Sequence, residues 1–230
     1  LDREFEVLEG WYKDETQKNR IKTFTSMKKY DSGSNGIDSY KTNTYGIAYV
    51  KEEGISTEDL KRGWYAGLLY NKTTFKDLMN SEQEDFLGKV GIYNTFSLNK
   101  DDSLRLRSDL GLFISKSDIV RRMFIVDEVA ENTARYSSYG IDFSNKLIKE
   151  IKLTPSTNFI VSGGVDIMLG KAKGFTEDGI FRLESNSNTF TSIKPNIYLG
   201  TETEKKYANY TLKGEVGIEY NTEIGKLNKT

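Results

Sequence analysis

The residues of this chain that could do chemistry are carboxylates, hydroxyls, lysines and arginines, because it contains no cysteine and no histidine. Disulfides, Cys/His zinc sites, cysteine nucleophiles and histidine-based triads are therefore excluded. Asp and Glu are numerous enough for the carboxylate pair of a glycosidase, but without a defined cleft any two carboxylates fit that pattern by chance. The sequence predicts no catalytic residue, no cofactor, no metal site and no enzyme.

One segment contains glycines and a lysine in the manner of a phosphate-binding loop. Five residues separate Gly164 from Gly170, however, and neither Ser nor Thr follows Lys171. The segment also alternates between apolar and polar residues as a strand does. A phosphate site is not predicted there, and the balance of 33 basic against 34 acidic residues gives no electrostatic sign of nucleic-acid binding.

The elements that must position these side chains are β-strands. From Arg20 onward, segments of about ten residues alternate between apolar and polar residues and are separated by turn-forming or charged stretches. Within 104–114, one face carries four leucines and Ile114, and the opposite face carries Arg105, Arg107 and Asp109. The predicted strands are 20–30, 42–51, 62–71, 86–98, 104–114, 134–144, 159–169, 180–185, 190–200 and 210–220.

The predicted connections alternate between short and long. Those at 99–102 and 185–188 are tight, whereas 71–84 and 115–132 are long, as in a barrel with short turns at one rim and long loops at the other. Pro155 is expected at the start of a strand, and Pro195 inside one, where it forfeits a ladder hydrogen bond. The basic and apolar segment 118–126 is interpreted either as a surface adhesion element or as a strand extension above the membrane.

The polar faces distinguish a membrane barrel from a soluble sandwich, because they mix charges of both signs with small residues instead of carrying a uniformly solvated set. The mean hydropathy of -0.58 does not decide, since a transmembrane strand exposes apolar residues only at alternate positions. Aromatic residues near the ends of the apolar faces suit interfacial girdles. The glycines and alanine assigned to the polar faces are Gly46, Ala48, Gly88, Gly91, Gly111, Gly140 and Gly164.

These patterns predict an all-β fold, an antiparallel transmembrane β-barrel. The residues predicted to line its lumen are Lys89, Arg105, Arg107, Asp109, Asp142, Asp166, Lys213, Glu215 and Glu219. The residues predicted to form a lipid girdle are Tyr45, Tyr49, Trp64, Tyr70, Phe143, Tyr210 and Tyr220. Residues 1–19 differ from the rest, because Leu1, Phe5, Leu8 and Trp11 recur at helical spacing amid dense charge, with a strand as the alternative.

Three short motifs occur in order along this alternating chain. Leu153, Thr154 and Pro155 precede one strand, and a Gly-Phe-Thr-Glu-Asp-Gly segment follows it, made of Gly174, Phe175, Thr176, Glu177, Asp178 and Gly179. Residues 38–47 follow a glycine-rich segment at 32–36. With these motifs the sequence resembles the translocator domain of autotransporters, the proteins of type Va secretion, over nearly its whole length.

The resemblance implies a twelve-stranded barrel in the bacterial outer membrane with an N-terminal helix threading the lumen. Residues 1–19 would then be the linker helix and 20–230 the barrel, with about ten strands visible and the closing strands not evident before Lys229 and Thr230. The implied function is export and surface anchoring of an upstream passenger, and the implied partners are outer-membrane lipid, that passenger and the barrel-assembly machinery. Cleavage of the linker is not predicted.

Two alternatives remain open on the sequence alone. A diffusion porin would share the lipid-facing pattern but would conduct ions without a plug. A soluble, ligand-binding β-barrel of lipocalin type would share the alternation but would dissolve without detergent.

Overall fold

The computed structural model describes residues 19–31, 39–54, 60–77, 79–207 and 211–224. This part of the chain is built of β-strands, and it contains no helix long and apolar enough to cross a membrane. The predicted helix at 1–19 lies outside the described residues, except for Asn19, which begins the first strand. The strands are β1 (Asn19–Tyr30), β2 (Tyr40–Gly54), β3 (Leu60–Phe75), β4 (Glu82–Ser97), β5 (Leu104–Ile125), β6 (Glu128–Thr154), β7 (Thr157–Ala172), β8 (Phe175–Thr176), β9 (Glu184–Ser185), β10 (Asn188–Lys206) and β11 (Thr211–Asn221).

Nine of these strands form one antiparallel sheet in which each pairs with the next along the chain. Its order is β1-β2-β3-β4-β5-β6-β7-β10-β11, and the short strands β8 and β9 pair only with each other inside the β7–β10 connection. The C-terminal ends of β2 and β10 and the connections 98–103 and 155–156 lie at what we call the first rim. The C-terminal ends of β1 and β3 and the connections 126–127 and 173–187 lie at the second rim.

The sheet is strongly curled. Phe113 on β5 and Phe190 on β10 are separated by the two strands β6 and β7, yet their ring centroids lie 6.4 Å apart. Neighbouring strands are spaced by roughly 4.8 Å, so the two backbones would be about 14 Å apart in a flat sheet. The two rings can meet only because the sheet bends toward the face that carries them, as a barrel wall does.

The two faces of the curled sheet differ sharply. Leu69 points to the concave face and is 1% exposed, whereas Leu68, its neighbour in sequence, points to the convex face and is 49% exposed. The convex face repeats this pattern on β4, β5 and β6, where Val90, Leu112 and Ile141 are all exposed. A continuous apolar surface of this kind belongs against lipid or a partner and not against water.

The strand pattern confirms most of the predicted segments and corrects four details. The predicted loop 115–132 is instead strand, because β5 and β6 continue as a hairpin to a two-residue turn at Val126 and Asp127. The alternative of a strand extension for 118–126 is therefore correct. The predicted strand at 180–185 is reduced to Glu184–Ser185.

Pro155 and Gly88 are the other two corrections. Pro155 does not begin a strand but forms, with Ser156, the turn between β6 and β7, where no ladder hydrogen bond is needed from its nitrogen. Gly88 lies on the convex face, next to Leu68 and Ile114, and not on the polar face.

Pro195 is tolerated inside β10 because the ladder with β11 ends beside it. Asn196 and Asn221 form the last regular pair, and Thr222 then donates one backbone hydrogen bond to the Pro195 carbonyl at 3.3 Å. The reciprocal bond would need the N–H that proline lacks. Pairing resumes at the isolated bridge between Ile193 and Ile224.

Aromatic rings cover several glycines on the concave face. The Tyr65 ring on β3 lies over Gly91 on β4, and a Cβ at Gly91 would lie 2.7 Å from the ring atom Cε1. A Cβ at Gly88 would meet Leu68 at an ordinary 3.6 Å. Glycine at 91 therefore provides the space in which a large side chain from the next strand lies flat against the wall.

We expect Gly91→Ala to destabilise the barrel by about 1–3 kcal/mol, because the added methyl group overpacks the site and displaces Tyr65. Gly88→Ala, on the opposite face of the same strand, is the matched control and should be close to neutral. The measurement is the urea dependence of the folded fraction of the full-length protein, read as heat-modifiable mobility in SDS gels. Equal midpoints for the two variants would contradict the explanation.

Candidate functional site

The middle of the concave face carries a network of charged residues from four strands. The Tyr65 hydroxyl on β3 donates to Asp109 Oδ1 on β5 at 2.8 Å. Lys89 on β4 forms an ion pair with Asp142 on β6 at 2.6 Å, with side chains that are 11% and 15% exposed. Both contacts span a strand, so the curl brings together groups that a flat sheet would keep apart.

A second part of the network lies nearer the second rim, around Asp85 on β4. This buried carboxylate accepts hydrogen bonds from Ser117 at 2.6 Å, Gln83 at 2.8 Å and Asn71 at 3.3 Å. Three donors compensate for the loss of hydration of a carboxylate that is 5% exposed. Hydrogen bonds from the protein therefore replace water around this carboxylate of the concave face.

Two further contacts extend the network on both sides. Arg107 lies over the Tyr93 ring, 5.4 Å from its centroid, and Arg105 forms an ion pair with Glu150 on β6. On β7, Asp166 accepts hydrogen bonds from Ser144 and, at 2.7 Å, from Asn196 on β10. Of these contacts, the one between Arg105 and Glu150 joins opposite charges, and the others pair a charged group with an aromatic ring, a hydroxyl or an amide.

The structure brings most of the residues predicted to line the lumen onto one face. Lys89, Arg105, Arg107, Asp109, Asp142 and Asp166 share the concave face and take part in the contacts just described. Glu215 and Glu219 follow on β11, where the Tyr198 hydroxyl donates to Glu215 at 2.5 Å. The Lys213 side chain lies outside the described residues.

Sequence reasoning missed several members of this network. Asp85 could have been found, because it shares strand and face with Lys89. Glu52 accepts a hydrogen bond from the Tyr93 hydroxyl at 3.1 Å, and Glu150 pairs with Arg105. Tyr65 and Tyr93 are buried on the concave face. Tyrosine was interpreted as a girdle residue, so its role as an interior hydrogen-bond donor was not recognised.

The six predicted girdle residues that the structure describes all lie on the convex face of the sheet. Tyr49 and Trp64 contact each other near the first rim with tilted rings whose centroids are 5.2 Å apart, and Tyr45 and Tyr70 stack nearer the second rim at 6.5 Å. Phe143 lies in the same ladder row as Trp64, and Tyr220 is on β11. Tyr210 lies outside the described residues.

The Gly-Phe-Thr-Glu-Asp-Gly motif lies in the rim loop, our name for residues 173–187, and Glu177 fixes it to the β5–β6 hairpin. Arg121 on β5 donates to Glu177 through Nε at 3.0 Å and Nη2 at 2.5 Å. The Glu177 Oε2 atom also accepts from Asn132 Nδ2 at 3.1 Å and from the Leu183 amide at 3.0 Å. Glu177 is only 3% exposed, so these bonds define the position of the loop.

The rest of the motif packs around this carboxylate. Asp178 and Thr133 exchange backbone hydrogen bonds of 2.8 and 2.9 Å, and Phe175 stacks on Tyr136. Gly179 has φ of 139°, a conformation that other residues rarely adopt, and it lies against the fully buried Asn132. Thr176 pairs with Glu184 between β8 and β9, and a Cβ at Gly174 would lie 2.6 Å from the Ser185 carbonyl oxygen.

The Arg121 guanidinium, against the opposing effect of burial, lowers the pKa of the Glu177 carboxyl to about 2. A carboxyl with a lowered pKa stabilises the fold fully above its ordinary pKa of 4.5, and the contribution is lost as the pH falls through about 2. The ion pair is therefore intact over the whole physiological range. Among the described residues, no cluster of acidic side chains has the arrangement of a metal site.

We expect Glu177→Gln to expose the rim loop to trypsin, which can cut after Arg182. Loss of the charged hydrogen bonds lowers the free energy of local opening by about 2 kcal/mol, which corresponds to roughly 30-fold faster cleavage. Glu184→Gln, which removes an exposed carboxylate in the same loop, is the control. Equal cleavage rates for the two variants at pH 8 would show that Glu177 does not fix the loop.

The described geometry is similar to that of two solved structures. The translocator domain of autotransporter NalP from Neisseria meningitidis matches with a TM-score of 0.70 and 14% identity, over 100% of this chain and 76% of that one. The β-domain of the Bordetella autotransporter BrkA matches with a TM-score of 0.63 and 14% identity, over 91% of this chain and 80% of that one. At this identity the likeness shows the fold alone.

A search among curated proteins found no relative. The family model for the autotransporter β-domain, however, matches residues 21–230, almost the entire chain. This match excludes the lipocalin alternative and confirms the resemblance noted in the motifs. The chain belongs to the autotransporter β-domain family, a non-enzymatic translocator of the bacterial outer membrane that serves the export of a passenger.

Proposed function

We propose that the concave face lines the lumen through which the passenger is exported, and that residues 1–19 form the linker within it. The observation that carries this proposal is the buried network of opposite charges on the concave face, set against a continuous apolar convex face. Lys89, Asp142 and Asp109 offer both signs to a linker that is itself mixed in charge. The family resemblance implies a helix-threaded barrel, and the family model matches residues 21–230, which supports the same division into a linker and a barrel at 20–230.

The convex face supplies the membrane anchor in this proposal. Its aromatic residues at two levels would lie at the two membrane interfaces, where amphipathic rings are favoured. The second rim would face the cell exterior, because outer-membrane barrels have short periplasmic turns and longer external loops. The rim loop and the β5–β6 hairpin would then project from the cell surface.

Insertion of such a barrel requires help, because its strand edges are unpaired until the wall is complete. We therefore include the barrel-assembly machinery among the partners, on the strength of the family resemblance. The apolar convex face and the girdle residues are the surface that outer-membrane lipid would contact.

Deletion of residues 1–18 tests the linker. The full-length barrel without this segment should show a larger and steadier single-channel conductance in planar bilayers than the intact protein, because the lumen would no longer be occupied. A matched variant that replaces these residues by an unrelated helical segment of equal length and charge should keep the low conductance. Equal conductance of the intact and deleted proteins would contradict a lumenal linker.

Cysteine labelling tests the orientation, and the absence of native cysteine makes the background low. Asp127→Cys, at the tip of the β5–β6 hairpin, should react in intact cells with a membrane-impermeant maleimide. Ser156→Cys, in the two-residue turn at the first rim, should react only after the outer membrane is opened. The reverse pattern would show that the second rim faces the periplasm.

A further inference from the structure

Near the second rim, basic residues follow the continuous apolar surface of the convex face. On three alternate strands of the sheet, β3, β5 and β7, an apolar residue of the convex face is followed two positions later, on the same face, by a lysine, although on β5 Val120 and Phe124 continue that face beyond the lysine. The pairs are Tyr70 and Lys72, Ile114 and Lys116, and Leu169 and Lys171. Cations are thus placed at the level where the apolar surface that is continuous across these strands ends, and only the β5–β6 hairpin carries apolar residues further out.

Four of these basic residues lie together on β5, β6 and β7. In the ladder, Lys116 is opposite Ser137 and Lys171 is opposite Tyr139, so both lysines flank the same stretch of β6. Arg135 lies two residues before Ser137 on that face, and the Lys173 amide donates to the Ser137 carbonyl at 2.8 Å. We call Lys116, Arg135, Lys171 and Lys173 the basic patch.

The charge of the basic patch is only partly compensated by the protein. Arg135 is paired with Asp118, and Glu84 on the neighbouring strand is paired with Lys72 at 3.3 Å. Lys116 and Lys171 are both exposed and have no ion-pair partner among the residues that the structure describes. Two flexible ammonium groups, one beside Ser137 and one beside Tyr139 on β6, are therefore available to an anion.

We propose that the basic patch binds the phosphorylated headgroup of a lipopolysaccharide-type lipid in the outer leaflet. Such a lipid carries phosphate groups directly above its acyl chains, which matches lysines placed directly above Ile114, Tyr139 and Leu169. Lysine and arginine near an anionic lipid surface attract it electrostatically, and lysine can extend its stem along apolar surface while its ammonium reaches the headgroup. A free phosphate would use the cations but leave the adjoining apolar surface unused.

This inference rests on the proposed outward orientation of the second rim, and the two can fail separately. Cysteine labelling in cells reports the orientation whatever the lipid does. Lipid binding by the purified full-length protein in neutral detergent reports the basic patch whatever the orientation is.

The test is titration of the purified protein with bisphosphorylated lipid A, dephosphorylated lipid A and phosphatidylglycerol, with bound lipid counted by native mass spectrometry. We expect bisphosphorylated lipid A to bind best. The double variant Lys116→Gln/Lys171→Gln should weaken its binding by roughly 10- to 30-fold, at about fivefold for each lysine. The control Lys100→Gln/Lys152→Gln removes the same charge from exposed positions near the first rim and should have no such effect.

Three results would overturn the proposal. Equal binding of dephosphorylated lipid A would show that phosphate is not recognised. Phosphatidylglycerol binding as tight as that of lipid A would assign the patch to anionic lipids in general. Equal loss in the two double variants would show that overall charge, and not the basic patch, attracts the lipid.

Discussion

A strand that crosses hydrocarbon has no water to satisfy its backbone, so each of its N–H and C=O groups must pair with a neighbouring strand. The long ladders from β1 to β11 follow from this requirement. Because the backbone groups of each strand are hydrogen-bonded to the neighbouring strands, its side chains can only alternate between the two faces of the sheet. The curl of the sheet then makes those faces unequal, because side chains spread apart on the convex face and converge on the concave one.

Convergence explains both the glycines and the charges of the interior. Where Tyr65 or Phe190 crosses to the next strand, the position beneath it must be glycine, as at Gly91 and Gly170. Where carboxylates converge, cations or several hydroxyl and amide donors accompany them, as around Asp142 and Asp85. A buried charge without such partners would destabilise the barrel, so the mixed signs of the polar faces are a structural requirement of the concave face.

The sequence predicted the strands and their faces well, because apolar and polar residues alternate along a strand wherever one of its faces is apolar. Lys89, Arg105, Asp109 and Asp166 were placed on one face by this period alone. It failed at the β5–β6 hairpin, whose turn contains Val126 at φ of 57°, a conformation that β-branched residues disfavour and that turn signals do not announce.

The contacts of the rim loop could not be predicted from local patterns. The motif resemblance drew attention to Glu177, but its partner Arg121 is 56 residues away in sequence. Nothing in the local pattern of either segment specifies the other. Likewise, strand periodicity places Asp85 and Lys89 on one face but does not tell which carboxylate on a distant strand each residue meets after the sheet has curled.

The attachment of the rim loop also divides it into an attached base, whose residues must be kept, and a tip, whose sequence can vary. Glu177 and Leu183 are joined by two hydrogen bonds, from the Glu177 amide to the Leu183 carbonyl and from the Leu183 amide to the Glu177 carboxylate. These bonds close the small segment 180–182, in which Ile180 is 75% exposed. Lengthening a loop whose ends are already held adds little closure entropy. The tip at 180–182 can therefore change in sequence or in length, or receive an inserted peptide, while the sheet beneath it stays the same.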